Sequence, residues 1–144
     1  MKNHRIVLST AVMLILSIST PQFAQDAAIK YQRPDADRTS RIFGFVRTIN
    51  TAEVVDLRTY GSYSSWQTLL AHQSKYLDMW RTDFYPQEVR FGGPSEILPG
   101  LNLRLNVHDD GQGYDILLED TSSKTGYAVQ SDERGVIREC WLSQ

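Results

Sequence analysis

The chain has 144 residues, 15 Lys and Arg against 17 Asp and Glu, and a formal net charge of −2. Its first 25 residues hold the cations Lys2 and Arg5, no acid, and an uncharged apolar run over 6–19. That run is shorter than the ~20 apolar residues of a membrane span and matches a secretory leader, leaving about 120 residues for one domain, so a two-domain enzyme and a transmembrane bundle are excluded.

Ala24 is the small residue at the expected cut, with Gln22 at the position two residues before it. Retention of the leader as an anchor is the alternative. The mature domain, without Lys2 and Arg5, carries 13 cations and 17 acids, near −4. It has no basic stripe, so no nucleic-acid footprint is expected, and no stable attachment to an anionic membrane after cleavage. The expected location is periplasmic or secreted.

In chain order, residues 26–37 are polar and aperiodic and read as a flexible lead-in, with Asp35 or Asp37 as a helix N-cap. The single domain is expected over 38–144. Ile42, Phe45, Val46, Ile49 and Ala52 fall on one helical face, with Arg41, Arg47 and Thr48 off it and Glu53 and Asp56 intruding downstream. This spacing predicts one long N-terminal helix over about 38–59, roughly 33 Å at 1.5 Å per residue, closed by Tyr60-Gly61. Ser64 and Gln67 match a capping box for a second, short helix carrying Trp66, Leu69, Leu70, Leu77 and Trp80, which stops near His72 or runs to Trp80. The segment 81–86 reads as a breaker.

After Pro86 the apolar period changes from 3.6 to 2. Residues 88–91 are a candidate short strand, and Leu101, Leu103, Leu105 and Val107 alternate with Asn102, Arg104 and Asn106, the clearest strand in the chain. Further strands are expected over 114–118, 127–130 and 136–141, joined by Gly-containing turns. The fold class is α+β: a long helix and a short one packed on a three- or four-stranded antiparallel meander.

Candidate chemistry is sparse. The mature chain has two histidines, His72 and His108, too few and too far apart for a structural metal site, so no metal and no cofactor are expected. Asp109, Asp110, Gly111, Gly113 and Asp115 resemble a calcium loop only superficially, since the EF-hand spacing is absent and Asp-Gly is ordinary hairpin chemistry. Cys140 with His108 is the one nucleophile–base pairing to consider, and no signature accompanies it. Cys140 alone reads as a packed apolar residue, with an intermolecular bridge or a reactive thiol as the sharper alternatives. Glu119 and Asp120 are adjacent on a strand and point to opposite faces, so they cannot work as an acid–base pair. No catalytic residue is assigned. Tyr60, Tyr63, Trp66, Tyr76, Trp80, Phe84 and Tyr85 cluster on the helical half, either as core or as an aromatic binding surface.

The string Arg47-Thr48-Ile49-Asn50-Thr51-Ala52-Glu53, followed by Thr59-Tyr60-Gly61, resembles the end of the long helix in bacterial type IV pilin-like (pseudopilin-like) proteins. Residues 126–138, with Ser131-Asp132-Glu133-Arg134-Gly135-Val136-Ile137-Arg138, are similar to their last hairpin. The prepilin leader, a Gly followed by Phe or Met and an early Glu, is missing here. The resemblance implies a pilin head domain without the assembly helix. The expected function is therefore non-enzymatic and works through protein partners in an envelope, pilus or type II secretion setting. The alternative is a small ligand-binding module, for glycans, using the aromatic cluster; Trp66 and Trp80 decide between them by being exposed or buried.

Overall fold

The computed structural model describes residues 33–142. The expected leader, the expected cut at Ala24 and most of the expected lead-in lie outside these residues. Two helices, α1 (Ala36–Tyr60) and α2 (Trp66–Phe84), precede one 3-10 turn at Pro94–Glu96 and four strands, β1 (Leu101–Val107), β2 (Tyr114–Asp120), β3 (Tyr127–Asp132) and β4 (Arg138–Trp141). The class is α+β, with two helices packed on a four-stranded antiparallel sheet in the order β1-β2-β3-β4. None of the described helices is long and apolar enough to cross a membrane.

Helix α1 begins where its cap is best. Asp35 accepts a hydrogen bond from Arg38 N at 2.9 Å, and Asp37 lies in the first turn, where a negative charge suits the helix dipole. The helix thus starts two residues before its expected start at about 38. The C-terminus is set by Gly61 at φ +82°, whose N–H returns to Leu57 O, a left-handed cap that a side chain would strain.

Helix α2 differs from expectation in two ways. It is 19 residues long, not short, and it runs through 81–84, which read as a breaker. Its N-cap is Ser65, accepting from Thr68 N, and not Ser64. The helix continues past the polar residue at 73 through a local break, Gln73 having φ −115° and ψ 19°. Residues 88–91 form no strand; they are held as a loop by Arg81, which is buried and donates to Val89 O. The last strand starts at Arg138 instead of Val136.

Inward-facing residues of the sheet are in register across strands. Leu103 opposes Leu118 and Leu118 opposes Val129. They meet Ile42, Phe45, Val46 and Ile49 of α1 in one core. Helix α2 packs against α1, where Phe45 stacks on Trp80 at 4.4 Å and meets Trp66 edge-on at 6.4 Å. A Cβ at Gly44 would lie 3.1 Å from Trp80 Nε1, so the glycine lets the indole lie close to α1. Thr48, off the apolar face by pattern, is buried at 7% exposure because α1 is covered on two sides, by the sheet and by α2.

Candidate functional site

Three clusters of polar residues position the elements. The first joins α1 to α2. Asp56 and Glu53, the two acids that intrude on the α1 stripe, are fully buried. Asp56 accepts from Ser64 Oγ at 2.6 Å, from Gln73 Nε2 at 2.7 Å, and pairs with His72 Nδ1 at 2.8 Å. Burial pushes its pKa up, but the bonds from Ser64, Gln73 and His72 outweigh this and hold it below the ordinary carboxylate range. The break at Gln73 sits where two successive side chains both reach this carboxylate. Glu53 Oε2 accepts from Ser64 N at 2.9 Å, while its Oε1 has no partner. Burial, with the nearby Asp56 charge, raises its pKa to about 7 despite the Ser64 bond. Ser64 is therefore no helix cap. It is the buried knot of the connection.

Asp56, His72 and Ser64 are the residue types of a hydrolytic triad, but the geometry is different. The Ser64 hydroxyl donates to Asp56 and is buried, so it is neither activated by His72 nor presented to a substrate. The imidazole of His72 is fixed at Nδ1, and Tyr60 lies over the ring at 4.1 Å. The arrangement locks the junction between helices.

The second cluster ties the start of α1 to the sheet. Arg38 makes a two-pronged contact with Asp120, Nε to Oδ2 and Nη2 to Oδ1, both at 2.7 Å, and also donates to Gly100 O. Asp120 is held below the ordinary carboxylate range: burial opposes this, and the Arg38 and Ser122 bonds overcome it. This confirms that Glu119 and Asp120 face opposite sides. Asp120 points to α1, and Glu119 lies on the outer face at 3.8 Å from Arg104.

The third is the outer face of the sheet. Arg104, Leu117, Gln130 and Arg138 are register partners across all four strands. With Asn106, Asp115 and Asp132 they line a shallow hollow of about 500 Å³.

The remaining sequence candidates fall apart or into structural roles. His108 bonds Asp115 at 3.0 Å, which raises the imidazole pKa. Asp110 accepts from Gln112 N in the tight turn, and Gly111 takes φ +68°. These are turn contacts, and among the described residues no group of three or more His, Cys, Asp and Glu could hold a metal ion. Cys140 sits on β4 with its thiol 3.6 Å from Ala128 O, its pKa raised by burial. On β4 it is separated by β3 from β2 and by β2 and β3 from β1, the two strands that flank the turn of His108, so the Cys140–His108 pairing is not assembled. The aromatic cluster divides. Trp66 is 3% and Trp80 9% exposed, both in the core, while Tyr60, Tyr76 and Phe84 are exposed. Sequence reasoning missed Arg38, Ser64, Gln73 and the outer-face row. The first three had a signal in the acids at inward positions, which demand partners.

Compared with known proteins, the chain matches no family model, no curated protein and no solved structure.

Proposed function

We propose that this is an exported, pilin-like, non-enzymatic domain that works by binding protein partners in the envelope or medium. The observation that carries the reading is the surface left over by the packing. On α1 and α2, Val55, Tyr60, Tyr76 and Met79 are 41%, 55%, 39% and 60% exposed. In contrast, the groups with catalytic chemistry are spent in internal ties. Clustered exposed apolar side chains are a mark of interaction surfaces. Tyr76 and Met79 fall near His72 on one flank of α2, and His72 carries Tyr60, so at least these three side chains share one region. The export reading rests on the leader and the pilin-like reading on the resemblance of residues 47–61 and 126–138. A glycan platform built on Trp66 and Trp80 has no support, since both rings are core.

The test is capture from envelope and medium fractions with tagged wild-type chain and with the Tyr60→Ser/Met79→Ser variant. Partners recovered by wild type and lost by the variant support the proposal. Equal recovery by both, or none by either, overturns it. Sequencing the bait's N-terminus tests the cut after Ala24; an intact Met1 on a membrane-bound bait overturns export as a free domain.

A further inference from the structure

We infer that the open side of α1 is a docking site for an acidic helix of a partner protein, whose two carboxylates meet Arg47 and Arg58. The inference rests on the reading that the domain acts through protein contacts. Its surface involves Val55 but not Tyr60, Tyr76 or Met79.

Helix α1 is covered on two sides, by the sheet and by α2, and a third side faces solvent. At about 100° per residue, Ser40, Arg47, Thr51 and Arg58 fall within about 40° of one another along that side, and all four are exposed. Half-buried Phe43 and Val54 form one shoulder of this line. Half-buried Gly44 and exposed Val55 form the other. Thr51 has turned its hydroxyl back to Arg47 O at 2.9 Å, so it offers no donor. Between the arginines the line therefore presents small and apolar groups, which let a second helix approach closely. Beside Arg47 a hollow of about 500 Å³ has Pro34, Ser40 and Phe43 in its wall, a groove alongside the Phe43 shoulder.

The charge on this side is unbalanced. The acids of α1 are committed elsewhere: Asp37 to Arg41, and Glu53 and Asp56 to the buried junction with α2. The wall of the hollow holds Arg33 and Arg47 and no acid, and Arg33 is met by Glu139. Among the described residues Arg47 and Arg58 form no ion pair and donate no hydrogen bond. Arg58 stands in the last turn, where a cation suits the helix dipole. Arg47 stands in mid-helix and has no such reason.

Guanidinium forks prefer carboxylates, and the spacing of these two selects the occupant. Arg47 and Arg58 are eleven positions apart on α1, which is about 16 Å along the axis and about 20° around it. Acids at i and i+11 of a second helix repeat that spacing on one line. Its side chains at i+4 and i+7 then lie over Thr51 and Val54. An anionic lipid surface fits less well, since it takes a cluster of about 4–8 cations.

The test uses the full chain and a fluorescein-labelled helical peptide of ~20 residues, rich in alanine and glutamine. It carries glutamates eleven positions apart, with leucines at the fourth and seventh positions after the first glutamate. Anisotropy is read at low salt. Controls replace both glutamates by glutamine, or set them four positions apart. The expected result is binding of the first peptide only, weakened about threefold by Arg47→Ala or Arg58→Ala and about tenfold by both. Arg104→Ala, an exposed change on the sheet, leaves it unchanged, and binding fades at about 0.5 M salt through screening. Circular dichroism of each variant excludes unfolding. No binding by the first peptide, equal binding of either control, or full affinity in the folded double variant overturns the inference. So does co-sedimentation with vesicles of equal phosphatidylglycerol and phosphatidylcholine that the double variant loses, which assigns the arginines to a lipid surface. None of those results bears on the Tyr60 and Met79 capture experiment, so the two readings fail separately.

Discussion

The buried carboxyl of Glu53 gives the most exacting test of the interhelical junction. Its folded pKa is about 7, raised from an ordinary 4.5. Below the lower value the group is neutral in folded and unfolded chains alike. As pH rises through this interval the unfolded chain ionises while the folded one keeps its proton, so stability is lost and the loss is complete above the folded value. At ~1.4 kcal/mol per pKa unit the full loss is about 3 kcal/mol. Asp56, Tyr63 and Tyr114 act on the same region, and Asp56 has the opposite acid dependence, so the absolute pH profile is composite. Comparing wild type with Glu53→Gln removes the shared contributions. Gln keeps an acceptor for Ser64 N and cannot ionise. Urea unfolding of both chains at pH 5, 6, 7 and 8 is expected to show a stability difference that shifts toward the variant by about 2–3 kcal/mol between the first and last values. A difference that is flat with pH, at unchanged urea dependence, would refute the argument.

Arg38→Ala leaves Asp120, 1% exposed at its side chain, with only its Ser122 bonds; a loss of about 2–4 kcal/mol is expected by chemical denaturation. The ion pair's contribution is present above the ordinary carboxylate pKa and fades as pH falls toward the lowered folded value, so the variant's deficit shrinks in acid. Phe45→Ala is expected to cost about 3–5 kcal/mol and to shift tryptophan emission to the red, because Trp66 and Trp80 both rest on that ring. Gly126→Ala and Gly135→Ala separate two costs. Both glycines have positive φ, but a Cβ at Gly126 would lie 2.5 Å from Leu142 O, whereas none is obstructed at Gly135. The second change is expected to cost only the ~1–2 kcal/mol of the left-handed backbone and the first visibly more, as read from melting temperatures.

Much of the fold was legible because its periodicities are strong. The α1 stripe and the alternation of β1 and β2 follow from burial on one side of each element. The length of α2 was obscured because its inward face is mixed. Gln73 looks like an interruption until Asp56 is placed opposite it, and Arg81 looks like a surface residue until it is found holding the 86–91 loop. Both are long-range satisfactions of polar groups, which a local pattern does not encode. Within residues 88–91, which form no strand, the Val89 carbonyl is likewise claimed by the Arg81 side chain. The outer-face row is invisible in one dimension: Arg104, Leu117, Gln130 and Arg138 become neighbours only once the register is known. The split of the aromatics was likewise open until α2 was seen to lie on α1.

The sheet order has a kinetic consequence. Every strand pairs with its neighbour in sequence, so the meander grows by successive local hairpins with short loops to close. The helical pair also meets across a short connection. The slow, entropically costly step is joining these halves, and Arg38 to Asp120, 82 positions apart, is among the contacts made across that gap. A chain with such mostly local contacts is expected to fold quickly, each half forming early and the clasp at the start of α1 closing late.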